Sequence, residues 1–427
     1  MFFKITASID NNIINQSSSS FNYGESPLLY MYHYNIDDTH YISRALLGFD
    51  FSEFNNLESS GVINSNNVSD TATLFLSTAP VSCSVSIVDE DIEIGYLSSS
   101  WSEGSGSSDG GGNEASNWLT ASIGNSWNTS GSDYTYFKTI TKEKRFEDIQ
   151  IDFPLADLTS SYGFILKYTD SEETGSFNYF KAIYSTQNDY GLKKPFVQIK
   201  INDFIGDDRC GFSTWESGSI YFYNYDYRGN PKDVPNGVSI CEISASSFIA
   251  SASVGRVSVG IYSASFFLTN SYGGTITDSW YDNSNVLIAS SSFPVYDYNT
   301  PFSVYESSVK DISLHVFIKP VYNYQDILKV KVYGYAVNDF NRTGSFQTLT
   351  ILDDLYYSVI DCATATPVID FDDTYTKCSY DKNGNYFNFA FGYLAENRKY
   401  KFIFKHKMNN SDVIFDPGYI FTVEGYK

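Results

Sequence analysis

No stretch of about 18 consecutive apolar residues occurs in the chain, so no membrane-spanning helix is encoded and no membrane insertion is expected. Basic residues are scarce: 28 Lys and Arg stand against 50 Asp and Glu, for a formal net charge of −22. Binding to phosphate backbones needs clustered cations that release counterions, so no nucleic-acid partner is expected. The acidic excess suits a large soluble assembly, a basic neighbour or bound cations alike, and does not choose among them. Ala/Leu/Glu/Lys stretches with a 3.6-residue period are almost absent, which predicts little helix. Cysteines number five, at Cys83, Cys210, Cys241, Cys362 and Cys378. They are odd in number, far apart and without a C-x-x-C pair, which argues against zinc and for free thiols. The opening Met1-Phe2-Phe3-Lys4-Ile5-Thr6 alternates like a strand and lacks the charged and apolar regions of a signal peptide, so synthesis is expected in the cytosol. On that expectation the sequons at Asn67, Asn128 and Asn341 carry no glycan.

The chain has instead 36 Tyr and 33 Phe, residues that favour strands, within an apolar share of 42% that marks it as globular. Strand-like runs recur between Ser, Asn, Asp and Gly clusters: Ala45 to Phe51, Ala72 to Ser77, Val81 to Val88, Gly163 to Tyr168 and Phe196 to Ile201. Further runs are Ser219 to Tyr225, Val257 to Tyr262, Ser265 to Leu268 and Val286 to Ala289. The last third offers Ser313 to Ile318, Leu328 to Tyr335, Tyr357 to Ile360, Tyr386 to Phe391, Tyr400 to Lys405 and Tyr419 to Val423, with Asn383-Gly384 as a hairpin turn. This spacing predicts an all-β chain of tandem β-sandwich domains, jelly-roll or immunoglobulin-like, with little helix. The polar stretches around Gly206 to Arg209 and Tyr296 to Pro301 place the domains at 1–203, 204–299 and 300–427. Ser98 to Asn117, rich in Gly and Ser, reads as a long surface loop inside the first of them.

Chemistry-bearing motifs are thin. Gly106-Ser107-Ser108-Asp109-Gly110 matches the G-x-S-x-G of serine hydrolases, but no helix follows to make the nucleophile elbow. Asp381, Asn383 and Asn385 match the start of a calcium loop, whereas Tyr386 replaces its turn glycine and Gly392 its bidentate Glu. Asp370, Asp372 and Asp373 are placed to hold a cation together, but clustered loop carboxylates in a chain with fifty of them are usually solvated. His33, His40, His315 and His406 show no metal-ligand spacing. No catalytic, cofactor or metal residue is therefore assigned, and the carboxylate pair of a glycosidase is a spatial feature that sequence spacing does not mark. Trp101, Trp118 and Trp127 flank the Gly/Ser loop and are candidate glycan or partner contacts, with core and loop anchoring as the plainer reading. Strand alternation puts Tyr221, Tyr223, Tyr225 and Tyr227 on one face, either core or interface, which makes them candidate partner contacts.

Ser43-Arg44-Ala45-Leu46-Leu47-Gly48-Phe49-Asp50, Trp101-Ser102-Glu103-Gly104 and Trp127-Asn128-Thr129-Ser130-Gly131 resemble the DNRLRE-type β-sandwich modules, a family similar to carbohydrate-binding modules. Gly163-Phe164-Ile165-Leu166 and Lys194-Pro195-Phe196 match its closing strands, while Ala156 to Tyr162 lacks its usual Trp. The same order of motifs, continued by Gly260-Ile261-Tyr262-Ser263-Ala264-Ser265, Ile369-Asp370-Phe371-Asp372 and Gly384-Asn385-Tyr386-Phe387, resembles virion structural proteins of tailed bacteriophages, marine ones especially. That resemblance implies a non-enzymatic particle component of the neck, collar, tail or fibre attachment. It would be made in the host cytoplasm and carried in the virion, contacting other virion proteins and forming a homo-oligomer about a symmetry axis. A glycan-binding adhesin that takes a host-surface glycan is the alternative, and a polysaccharide depolymerase a more distant one. The cysteine reading has its own check: alkylation of the denatured, unreduced protein is expected to modify all five thiols, and a disulfide-linked peptide pair would overturn it.

Overall fold

The computed structural model of the chain describes all residues except 16–19, 60–62, 64–69, 82–88, 107–114, 143–145, 156–160, 202–207, 211, 213, 216, 227–231, 270–271, 296, 298–311, 337–348, 382–383, 409–410 and 426–427. The fold is all-β, as the strand spacing implies, with 57% of the chain in strands and 6% in helices. Among the described residues no helix is long and apolar enough to cross a membrane.

Alternating side chains build the first sandwich. In Thr71–Leu76 the even positions Ala72, Leu74 and Leu76 are buried, and in Ile149–Pro154 the odd positions Ile149, Ile151 and Phe153 are. These strands pair with each other, and Thr71–Leu76 pairs with Phe196–Lys200. The facing sheet runs through Thr39–Phe49, Phe164–Tyr168, Glu90–Leu97 and Tyr134–Lys142. Leu28–Ile36 pairs with Thr39–Phe49 and, on its far side, with Tyr179–Tyr184. Strand Phe2–Ile14 belongs to both layers. Phe2 to Thr6 pair with Phe196–Lys200, the register shifts between Ala7 and Ile9, and the remainder pairs with Ser43 to Phe49.

The same strand reaches the C-terminal part of the chain. Phe2 pairs with Tyr380, so the sheet continues through Ser379–Asp381, Gly384–Ala390 and Ile327–Ala336 to Ile312–Phe317. Against this extension packs a six-stranded sheet in the order Val321–Asn323, Ile420–Glu424, Arg398–Met408, Leu355–Asp361, Thr366–Ile369, with Ser411–Phe415 also on Arg398–Met408. Aromatic rings fill the space between the layers. Phe389 lies edge-on to Phe391 and Phe402 at centroid distances of 5.1 and 5.3 Å, and Tyr357 stacks on Phe387 at 4.2 Å.

Between these two parts lies a sandwich with its own core. Three strands, Ser217–Tyr223, Ile261–Phe267 and Gly255–Ser258, cover four, in the order Phe248–Ser253, Ile240–Ala245, Gly274–Tyr281, Leu287–Val295. Phe222, Tyr262 and Phe266 meet Ile243, Trp280 and Phe293 in that core. Arg209 crosses it to Asp278, which also accepts the indole N–H of Trp280 at 2.8 Å.

One expectation needs correction. Val257 to Tyr262 is not one strand: Gly260, at φ +68, turns the chain between Gly255–Ser258 and Ile261–Phe267, and its O accepts from Asn224 N. The described part of Ser98 to Asn117 is exposed at Ser98, Ser100, Gly104 and Ser105 but is anchored at both ends. Trp101, Ala115, Ser116 and Asn117 are buried, because Asn22 Nδ2 donates to Glu103 O and Ser116 O and Asn11 Nδ2 donates to Ser116 O, satisfying loop carbonyls that water would otherwise take. Residues 82–88 and 107–114 lie outside the described residues, and with them Cys83, most of the expected strand Val81 to Val88 and most of the G-x-S-x-G match. Cys241, Cys362 and Cys378 are free thiols, the first and last buried.

Removing one ring from the C-terminal core tests the packing. Phe389→Ala is expected to cost about 3–5 kcal/mol, measured by chemical denaturation, since the cavity it leaves is walled by rings on both sheets.

Candidate functional site

The junction of the first and C-terminal sandwiches encloses a cleft of about 620 Å3. Its floor is the outer face of strand Phe2–Ile14: Phe3 and Ala7 point into the core, while Lys4, Thr6 and Ser8 alternate toward the cleft. Thr186, Leu192 and Lys194 form a second wall, after the short 3₁₀ turn Gly191–Lys193. Tyr375, Lys377, Ser379 and Asn388 from the C-terminal sandwich form the third. The fourth is the helix Ser52–Ser59, whose Glu53 pairs with Lys329.

Lys4 is the central cation. Its Nζ lies 4.1 Å from the centroid of Phe196 and donates to Tyr375 O at 2.7 Å, and its backbone N–H donates to Ser379 Oγ at 3.0 Å. Burial pulls its pKa down to about 7, with the charge of Asp372 opposing the shift. Tyr375 sits edge-on to Phe196 at 5.9 Å, and Lys193 Nζ covers its face at 4.0 Å. Burial lowers Lys194 as well, with Asp10 and Asp189 pulling the other way.

Behind the cleft lie two carboxylates. Asp10 is fully buried and accepts the backbone N–H of Thr186, while Glu103 Oε1 accepts the backbone N–H of Asp10 at 2.9 Å. Burial pushes Asp10 up to about 7; the Thr186 hydrogen bonds oppose this and the neighbouring Glu103 adds to it. Burial likewise raises Glu103.

The tryptophans do not form an open platform. Trp101 and Trp127 are buried in a small core with Ile13, Leu46 and Ile165. Their Nε1 atoms donate to Tyr162 O at 3.0 Å and Asn117 O at 2.8 Å. Trp118 is half-buried under the Arg44 guanidinium, 4.8 Å from its ring. Arg44 is held by Glu173 and by Gly131 O. The indole faces that a sugar would need are thus spent on anchoring the loop, which corrects the glycan-contact expectation at Trp101 and Trp127. Gly163 of the same motif set has φ +117, and a Cβ there would lie 2.1 Å from Leu47 O.

Tyr221 and Tyr223 occupy the outer, half-buried face of Ser217–Tyr223, with Ile220 and Phe222 facing the core. Their rings stack at 6.5 Å, Tyr225 is half-buried, and Tyr227 lies outside the described residues. The calcium-loop match is taken up otherwise: the Asn385 side chain pairs with Leu352 N and O. Asp372 accepts from Thr374 N and Tyr375 N, and Asp373 pairs with Lys407 at 2.6 Å.

Sequence spacing missed two groupings. His33 Nε2 meets His40 Nδ1 at 2.9 Å, because Asp37 and Asp38, at φ +50 and +60, close a two-residue hairpin between Ile36 and Thr39. A two-residue Asp-Asp turn between aromatic strands was the available signal. The lysines around Tyr375 had none, since they are joined across most of the chain.

The chain matches no family model and no curated protein. Among solved structures it is similar to fibronectin(III)-like modules of Clostridium thermocellum CbhA, at 9% identity over 53% of this chain and 94% of that one, with a TM-score of 0.15. Titin domains Z1Z2 in complex with telethonin align at 7% over 50% and 91%, with a TM-score of 0.17. The Bacteroides ovatus protein SGBP-B in complex with a mixed-linkage heptasaccharide aligns at 8% over 61% and 58%, with a TM-score of 0.19. Likenesses at these scores carry no argument about what this chain binds.

The raised Asp10 makes a pH test. Its folded pKa lies above the unfolded value of 3.8, so its contribution to stability is intact below about pH 4 and is lost as pH rises toward 7. Asp10→Asn keeps the acceptor for Thr186 without the charge. It is expected to raise stability at pH 8 by on the order of 1–3 kcal/mol and to change little at pH 4, read from thermal melts at both values.

Proposed function

We propose that the chain is a non-enzymatic structural component of a tailed-phage virion, at the neck, collar, tail or fibre attachment, working through contacts with its own copies and with other virion proteins. The sequence resemblance over nearly the whole chain suggests the particle. One structural observation supports the mode of action: among the described residues the C-terminal sandwich ends in two adjacent edge strands with apolar side chains in solvent. Among the described strands Ile312–Phe317 is the edge of one sheet and Val321–Asn323 the edge of the other, and Ile318, Lys319 and Pro320 carry the chain between them. Phe317 is 67% exposed and Ile420, on the strand beside Val321, 52%. An edge with unsatisfied backbone groups and large apolar side chains is a liability in a free monomer and a docking strand in a permanent assembly. The outward Tyr221 and Tyr223 add interface area of the same kind.

Mass spectrometry of purified particles tests this reading. The chain is expected at a fixed copy number, about 6 or 12 for a position on the neck or tail axis. Phe317→Lys is expected to lower its incorporation while leaving the isolated protein folded. Particles that assemble and infect normally without the protein would overturn the proposal.

A further inference from the structure

The contact between His33 and His40 fixes where their protons lie. His33 is fully buried, and its Nδ1 faces the carbonyl O of Phe177 at 2.9 Å. A carbonyl only accepts, so Nδ1 carries the hydrogen and Nε2 of the neutral ring is a bare lone pair. That lone pair faces His40 Nδ1 at 2.9 Å. His40 therefore donates through Nδ1 and keeps its own Nε2 bare, on a ring that is half-buried. The two rings lie 5.2 Å apart with their planes at 21°.

The pair also fastens a surface element. Strands Leu28–Ile36 and Thr39–Phe49 meet at the Asp37-Asp38 turn, and this tip leans on residues 175–178, just after the helical turn Asp170–Glu173. Besides the His33 bond to Phe177 O, Asn35 N donates to Asn178 Oδ1 at 2.8 Å and Asn35 Nδ2 to Gly175 O at 3.4 Å. Ile36 on the tip and Phe177 beneath it are 56% and 55% exposed.

One added proton fits this arrangement. It goes to His40 Nε2, and the hydrogen bond between the rings becomes charge-assisted. A second proton does not fit, because two N–H groups and two positive charges would then face each other across 2.9 Å. His40 can turn toward water, but buried His33 would keep Phe177 O and be left with an orphaned N–H. The other charged and titratable groups around the pair are Glu173, which is already held by Arg44, Tyr179 with its ring 6.4 Å from His33, and the exposed Asp37 and Asp38 of the turn. We propose that the pair is an acid latch: it takes one proton with the hairpin tip closed, and the second proton frees the tip from residues 175–178.

The direction of the pH effect follows from His33. Burial lowers its pKa; the Phe177 hydrogen bond and Glu173 oppose the shift, and the charge of His40 adds to it. The second proton thus binds the folded pair less readily than an unfolded ring. The latch is intact above the ordinary value of 6.5 and is lost as pH falls below it. Asp10 acts in the opposite sense, so a local readout is needed.

Two measurements on the full chain test the latch. Nitrogen NMR of the isotope-labelled imidazoles near neutral pH is expected to show both His33 and His40 as the Nδ1–H tautomer. Amide hydrogen exchange, corrected for its intrinsic pH dependence, is expected to show the protection of Asn35 falling by about tenfold or more between about pH 7 and about pH 5, the effect of one pKa unit or more. Ile243, in the core of the middle sandwich, is expected to keep its protection over the same range. His40→Asn places an amide where Nδ1 stood, and its NH2 serves neutral His33 while its oxygen serves the protonated ring. This variant is expected to hold Asn35 protected at both pH values. An Nε2–H tautomer at His33, unchanged Asn35 protection in the wild type, equal loss at Ile243, or the same loss in a folded His40→Asn variant would overturn the proposal. The tautomers and the wild-type exchange need no variant, so they decide the matter if His40→Asn does not fold.

Discussion

Strand Phe2–Ile14 has to satisfy three sets of backbone partners, and the architecture follows from how it does so. Its first residues complete one layer of the first sandwich through Phe196–Lys200, its later residues complete the other through Thr39–Phe49, and Phe2 joins the C-terminal sheet at Tyr380. A single strand can serve both layers only by turning between them, and the register shift between Ala7 and Ile9 marks that turn. The cleft exists because the strand bridges two bodies: its inward residues are consumed by the core, and its outward residues Lys4, Thr6 and Ser8 are left in the angle between the sandwiches.

Ion pairs inside the sandwiches fix geometry more than they add stability. Arg44 and Glu173, Lys181 and Glu90, and Arg209 and Asp278 are all largely buried. Coulombic gain in such pairs roughly offsets desolvation, but losing one partner strands a charge in a dry place. Each pair ties elements distant in sequence. Arg44 in particular connects the central strand to the helical turn Asp170–Glu173 and to the loop that holds Trp118.

Strands were legible in the residues because alternation is local. Phe196 to Ile201 and Gly163 to Tyr168 read from sequence within a residue or two of Phe196–Lys200 and Phe164–Tyr168. Val257 to Tyr262 misled because its apolar alternation continues through the turn at Gly260, and only the positive φ reveals the break. The tryptophans were identified as a group, but whether an indole faces a sugar or a core depends on the covering loop, and that loop is held by Asn11 and Asn22 from a distant segment. The lysine group was not legible at all. Lys4 and Tyr375 are brought together by sheet pairing 371 residues apart, and no periodicity in one chain carries information over that distance.

The Phe2–Tyr380 pairing also sets an order of events during synthesis. Strand Phe2–Ile14 meets Thr39–Phe49 early in synthesis, but its other neighbour Phe196–Lys200 follows only after nearly two hundred residues, and Tyr380 later still. Closing such loops is entropically costly and slow, whereas the middle sandwich draws its apolar core from residues between Phe212 and Val295, with Arg209 just before them. The middle sandwich therefore completes its core before Tyr380 is made, and the Phe2 end of the first strand waits longest for its neighbours, although the other end is already paired with Thr39–Phe49.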